Sequence, residues 1–224
     1  MSTLEKRVER TRIKMCGTTR AGDAQAAVHA GVDALGFIFV KTSPRYISPQ
    51  QAADIIAGLP PFISRVGVFV NSSLADIQRI VDQSGLTQVQ LHGDESSQLC
   101  LDVKTWSKSC SVCKAFRIGE GSPPLNLRKY SRVVDSVLFD TFTKGMEGGT
   151  GKCFNWELID SLQCDKPIIL AGGLNPDNVT AALQKVAPYA IDINSGIEEA
   201  PGKKDHAKLY ELVRQVRAVD AGLV

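Results

Sequence analysis

Short apolar runs recur along the chain at nearly even spacing, beginning near Arg12, Ala34, Arg65, Gln88, Val112, Ser136, Pro167 and Ala190. The starts lie about 25 residues apart, the length of one strand–loop–helix–loop unit. Several intervening segments keep helical spacing: Val179, Ala182, Leu183 and Val186; Leu209, Leu212, Val213 and Val216; and, less fully, Leu74, Ile77, Ile80 and Val81. Ser48-Pro49-Gln50-Gln51 reads as a capping box ahead of Ala52, Ile55 and Ile56. The segments after the fourth and fifth strands are weakly helical, and Pro123-Pro124 belongs in a loop or at a helix start. Eight alternating units predict an α/β fold, a single closed (β/α)8 TIM barrel with right-handed crossovers. An open doubly wound sheet would more often carry a nucleotide fingerprint after its first strand, and none stands there. The barrel domain is expected over 12–224, preceded by a charged extension, 1–11.

Alternation inside the strands says which face is polar. Lys14 and Cys16 oppose Ile13 and Met15; Gln88, Gln90 and His92 oppose Val89 and Leu91; Asp140 opposes Val137 and Phe139; Asp192 and Asn194 oppose Ile191 and Ile193. The apolar parity suits packing under helices, so the polar parity is expected to face the barrel axis. Buried polar groups must be paired, and Lys14 and Lys114 with Asp192 are expected to form an internal ionic network. Cys16, His92, Asp140 and Asp192 fall at strand C-terminal ends, the rim where barrel enzymes keep their chemistry.

The seventh and eighth strands end in small residues. Pro167 to Pro176 reads PIILAGGLNP, and Ile191-Asp192-Ile193-Asn194 runs into Ser195-Gly196. Asn175 is a good N-cap and Pro176 suits a first helical turn, so a helix is expected to open there. Gly172 and Gly173 let backbone amides approach a ligand, and the loops after strands 7 and 8 of a barrel frequently hold phosphate. A pair of tight turns without a ligand explains either glycine cluster taken alone.

Composition narrows the class. At 224 residues, 43% hydrophobic and 22% charged, the chain can bury a full core. Lys6, Arg7, Arg10, Arg12 and Lys14 stand against only Glu5 and Glu9, so the net charge of +2 gathers at the N-terminus and the body is nearly neutral. No nucleic-acid partner is therefore expected. No apolar run reaches the ~18–20 residues of a membrane span, so no membrane association is expected and a cytoplasmic location is. Six cysteines in such a chain read as thiols. Cys110-x-x-Cys113 lacks a second ligand pair for zinc and a helix N-terminus for redox chemistry.

Together the motifs resemble one family. Ile13-Lys14-Met15-Cys16-Gly17-Thr18-Thr19, Gly36-Phe37-Ile38-Phe39 and Ser43-Pro44-Arg45-Tyr46-Ile47 occur in succession. Val66 to Asn71 (VGVFVN), Gln90-Leu91-His92-Gly93, Phe139-Asp140-Thr141, the GGTGK of 148–152, the AGGLNPDNV of 171–179 and Asp192 to Gly196 (DINSG) follow. In this order, from about residue 12 to 218, they resemble phosphoribosylanthranilate isomerase, a barrel enzyme of tryptophan biosynthesis. The resemblance implies an Amadori rearrangement of N-(5-phosphoribosyl)anthranilate to 1-(2-carboxyphenylamino)-1-deoxyribulose 5-phosphate. It implies Asp140 as general acid, Cys16 as general base and Arg45 as ligand of the anthranilate carboxylate. It further implies Gly172, Gly173, Ser195 and Gly196 as the phosphate cradle. His92 and Asp192 at the rim are expected as substrate-binding residues, with hydrogen bonding inside the rim as the alternative. No cofactor and no metal are implied. The expected partner is a small phosphosugar, and the chain is expected as a monomer or homodimer.

The chemistry asks opposite things of the two proton carriers. An acid benefits from a raised pKa, to which Phe139 and Phe142 would contribute by desolvating Asp140. A thiol base benefits from a nearby cation. Lys14 is expected about 6–7 Å from Cys16 along the strand, a long-range contributor rather than a contact. Taken singly, Cys16 also suits a small buried hydrophobe, Asp140 a cap or salt bridge, and Arg45 a solvated charge. A metal-dependent epimerase would want several strand-end histidines, and of His29, His92 and His206 only His92 qualifies. A silent phosphosugar-binding barrel would not need both Cys16 and Asp140.

Overall fold

A computed structural model describes residues 10–119, 125–140, 159, 162 and 164–224. Eight parallel strands close into a barrel in chain order. They are β1 (Arg12–Met15), β2 (Ala34–Ile38), β3 (Ser64–Phe69), β4 (Gln88–Leu91), β5 (Ser111–Arg117), β6 (Ser136–Asp140), β7 (Ile168–Ala171) and β8 (Ala190–Ile193). Every start falls within one residue of the position expected from the apolar runs. The helices are α1 (Ala21–Ala30), α2 (Pro49–Ala57), α3 (Leu74–Ser84), α4 (Ser97–Trp106), α5 (Val179–Val186) and α6 (His206–Asp220). A two-stranded antiparallel hairpin, β9 (Glu198–Ala200) with β10 (Lys203–Lys204), follows β8.

Local chemistry sets the helix starts. The Ser48 hydroxyl accepts from the Gln51 N–H, and Gln51 Oε1 accepts from the Ser48 N–H, completing the expected capping box. The segment after β4 is a regular ten-residue helix, stronger than its weak periodicity suggests, because the Ser96 hydroxyl accepts from Leu99 N–H. After β5 the described residues hold only a 3-10 turn at Leu127–Lys129, and Pro123-Pro124 lies outside them. The Asn175 expectation needs correction. Its side chain accepts from Asp177 N–H to close a turn, and α5 begins one turn later.

The inner and outer layers divide by strand parity. Ile13, Met15, Leu35, Phe37, Val89, Leu91, Phe139 and Ile191 face outward into the continuous core under the helices. Inside, Cys113, Ala115, Leu138, Ile169, Ala171 and Ala190 form a small aliphatic plug. Polar residues fill the rest, led by Lys14 and Asp192, which are direct partners across the seam of β1 and β8. Arg10 and Thr11 are tied to the barrel: Arg10 pairs with Asp33, and Thr11 N–H donates to Asp220 Oδ1 at 2.9 Å. Among the described residues no helix is long and apolar enough to cross a membrane.

Candidate active site

A cavity of about 520 Å³ opens at the C-terminal rim of the barrel. Cys16, Arg45, His92, Asp140, Asp192 and the Gly172–Gly173 and Ser195 loops all line it. Residues far apart in the chain meet there because each follows or ends a strand of one closed barrel. Cys16 follows β1 and Asp140 ends β6, so the two face the cavity from different sides.

Beneath Cys16, Lys14 Nζ donates to Asp192 Oδ2 at 2.6 Å, with both side chains almost wholly buried. Burial alone would lower the Lys14 pKa, but Asp192 and Cys16 more than offset it and the ammonium is held above its ordinary range. Lys14 also lies beside the Cys16 sulfur, since an added Cβ at Gly36 would meet Cys16 Sγ at 2.9 Å and Lys14 Cε at 3.1 Å. It is nearer than the distant contributor expected. Strand spacing fixes only Cα positions, and a four-carbon side chain can curl back along its own strand. Burial dominates at Cys16 and pushes the thiol up; Lys14 pulls it down only in part. The resting side chain is a thiol.

Lys114 does not join this pair. It faces outward between Val112 and Phe116, where Nζ pairs with Glu95 at 3.1 Å and donates to the carbonyls of Leu91, Gly93 and Ala115. Glu95 in turn accepts from the N–H groups of Asn71 and Gly93. This buried cluster fixes the loop that carries His92. Nothing in the local pattern around Glu95 marked it; the pairing exists only after β4 and β5 are side by side.

His92 Nε2 lies 3.2 Å from Asp140 Oδ2, and Gln90 Nε2 lies 3.0 Å from His92 Nδ1. Gln90 and His92 hydrogen-bond through Nδ1, which leaves Nε2 as the ring atom facing Asp140. Phe139 does not desolvate Asp140 as expected: alternation sends it to the outer layer against Phe116, with ring centroids 6.3 Å apart. Phe142 and the GGTGK stretch lie outside the described residues.

Arg45, in the loop after β2, is half-buried and held by Glu198, whose carboxylate receives Nε at 2.9 and 3.0 Å and Nη2 at 2.6 Å. Lys204 Nζ reaches the same carboxylate at 2.9 Å. Neither Glu198 nor Lys204 was anticipated. The one available signal was Pro201-Gly202, a turn pair that brings the two onto facing strands.

On the far side, Gly172 and Gly173 adopt left-handed conformations at φ 102° and 67°. At Gly196 an added Cβ would sit on the Leu174 carbonyl oxygen, so the loops after β7 and β8 touch through backbone. Asp192 Oδ1 is buried at the cavity without a hydrogen-bond partner among the described residues. Cys110 and Cys113 diverge, one bonding the Leu86 carbonyl and the other inside the barrel. Among the described residues no group of three or more His, Cys, Asp or Glu side chains could hold a metal.

The model of the N-(5'phosphoribosyl)anthranilate (PRA) isomerase family matches residues 13–215. The chain belongs to this family. It is a phosphoribosylanthranilate isomerase of tryptophan biosynthesis by descent, and the closed barrel is the family's architecture. The N-(5'-phosphoribosyl)anthranilate isomerase of Pelobacter propionicus is 46% identical over 203 residues, covering 91% of this chain and 94% of the relative. The phosphoribosylanthranilate isomerase of Thermotoga maritima superposes with a TM-score of 0.80 at 38% identity, covering 93% of this chain and 99% of its own. Another solved isomerase, in complex with reduced 1-(o-carboxyphenylamino)-1-deoxyribulose 5-phosphate, superposes at 0.77 with 36% identity, covering 93% and 99%.

Proposed function

We propose that the rim cavity binds N-(5-phosphoribosyl)anthranilate and rearranges it with Asp140 as general acid and Cys16 as general base. One observation carries this: a single rim cavity is lined together by Arg45, by the Gly172–Gly173 and Ser195 loops, and by Cys16 and Asp140. The backbone loops at Gly172–Gly173 and Ser195–Gly196 suit a phosphate, and the Arg45 guanidinium suits a ring carboxylate.

Asp140 gives its proton to the ribose ring oxygen as the C1–O bond breaks, while the anthranilate nitrogen lone pair forms the C1=N bond. Cys16, as the thiolate left once its proton has been placed on Asp140, then takes the C2 proton. The C–H electrons form C1=C2 as the C1=N pair returns to nitrogen, giving an enolamine. The Cys16 thiol returns a proton at C1 as the C2 hydroxyl gives its proton to Asp140, which yields the ketone and restores both carriers. His92 Nε2 steadies Asp140 and its ring borders the ribose, while Asp192 Oδ1 accepts a hydrogen bond from a sugar hydroxyl. Each positioned carrier typically supplies about 10²–10⁴-fold. The barrel domain, 12–224, works as a cytoplasmic enzyme, monomeric or homodimeric.

The two ends are separately testable. Arg45→Ala should weaken substrate binding by about 1.5–3 kcal/mol, the scale of a charge-assisted hydrogen bond. Steady-state KM and the affinity for a product analogue measure it, and unchanged values would return Arg45 to a surface charge. Gly196→Ala should force the two phosphate loops apart and raise KM at least about tenfold, since overpacking costs about 1–3 kcal/mol. A KM within twofold of the parent would remove the phosphate from that position.

A further inference from the structure

The Arg45 guanidinium is neutralised before any ligand arrives. Its Nε and Nη2 edge is engaged by both Glu198 oxygens, so an approaching carboxylate meets an ion pair rather than a lone cation. The third member of the group is Lys204, whose side chain is fully buried. Its Nζ meets three acceptors: Glu198 Oε1 at 2.9 Å, Asn194 Oδ1 at 2.8 Å and the Asn194 carbonyl at 3.4 Å. Burial lowers the Lys204 pKa and Glu198 works against that; the three acceptors match the three N–H donors of an ammonium.

The fold builds this group deliberately. Glu198 and Lys204 are direct partners across the β9–β10 hairpin, and Gly202 at φ 81° turns it while donating its N–H to Glu198 Oε1 at 3.2 Å. Lys204 N–H is tied down by Asp23 Oδ2 at 3.2 Å. At Gly17, an added Cβ would come within 2.8 Å of both Arg45 Cδ and Asn194 Oδ1, so only glycine leaves the guanidinium stem its path. Burial works to raise the Glu198 pKa, but the bonds from Arg45 and Lys204 more than offset it and keep the carboxylate ionised. Arg45 and Glu198 cancel. Lys14 and Asp192 cancel below them, and Cys16 rests as a thiol. Among the described residues at this end, Arg45 and Lys204 set two cations against the single carboxylate of Glu198, so the group keeps one net positive charge that removing Lys204 would abolish.

Resting on the assignment of Arg45 to the ring carboxylate, we propose that Lys204 supplies the net charge of the carboxylate end and thereby sets the preference for an anionic aromatic ring over a neutral one. Glu198 is a positioning residue that aims Arg45. Lys204 acts through the field inside a cavity wall, where a unit charge is screened far less than in water.

The test compares the affinities of two probes at low ionic strength. They are reduced 1-(o-carboxyphenylamino)-1-deoxyribulose 5-phosphate and its counterpart lacking the ring carboxylate. Lys204→Met should weaken the first at least about tenfold and leave the second within about twofold. Adding Glu198→Gln to Lys204→Met should restore the preference, because Arg45 is then unopposed. Glu198→Gln alone, which stays interpretable if Lys204→Met folds poorly, should raise the preference above that of the parent. A packing role predicts the reverse: the two substitutions add, and both probes weaken together. That outcome, a fall in preference in Glu198→Gln, or an unchanged preference in Lys204→Met would overturn the proposal. Arg45→Ala separates the two claims. If it leaves the preference intact, the Arg45 assignment fails; if it abolishes the preference while Lys204→Met does not, the Lys204 proposal fails and the assignment stands.

Discussion

Asp140→Asn should lose at least about 10²-fold in kcat while still binding a product analogue with near-parent affinity. The carboxamide keeps the size of the side chain and can still hydrogen-bond His92 Nε2. It cannot deliver a proton to the ribose ring oxygen, so the furanose stays closed. Binding persists because the proposed phosphate loops follow β7 and β8 and the proposed carboxylate end follows β2, all on other strands. Stopped-flow fluorescence of the anthranilate ring reads the turnover, and titration with the analogue reads the binding. A parallel collapse of both would mean that Asp140 shapes the cavity instead of serving the chemistry.

Cys16→Ser should cost as much or more in kcat, because a serine hydroxyl is far harder to ionise than even a buried thiol. The pH dependence distinguishes this from a packing effect. The transition state contains one proton shared among the carboxylate, the thiol and the substrate. A resting enzyme that keeps this proton as the Cys16 thiol holds the same number. Hence kcat/KM of the parent should stay level through neutral pH. Burial pushes the Cys16 thiol above its ordinary value of 9.0, so the alkaline fall should come only beyond that value. As pH rises past it, the proton the reaction needs is lost from the free enzyme. In Cys16→Ser this thiol-dependent limb should disappear. A parent profile that climbs tenfold per unit from pH 7 to 8 would instead indicate a base acting independently of the acid.

Much of the barrel was legible because period-two alternation and even spacing are local signals. The strand starts, the Ser48–Gln51 box and the rim placement of Cys16, His92, Asp140 and Asp192 all came from such patterns. What escaped depends on which strands and loops become neighbours. Lys114 shares a polar character with Lys14, yet one residue of parity sends it outward to Glu95. Phe139 adjoins Asp140 in sequence and, for the same reason, faces away from it. Glu198 and Lys204 follow the last barrel strand and read as surface charges until the hairpin folds them over Arg45. Lys14 and Cys16 meet beside Gly36 of the neighbouring strand, while Lys14 Nζ is bonded by Asp192 across the β1–β8 seam, and neither placement follows from spacing along one strand.

The division of labour between Cys16 and Asp140 meets its most direct test in the isotope effect of deuterium at ribose C2, followed over a single turnover in the two variants. With Cys16→Ser, removal of the C2 proton becomes the slow step, and the deuterated substrate should react severalfold more slowly than the protiated one. With Asp140→Asn, ring opening is slow and breaks no bond to C2, so the two substrates should react at the same rate. The opposite pattern, a full effect in Asp140→Asn and none in Cys16→Ser, would contradict the assignment of acid and base.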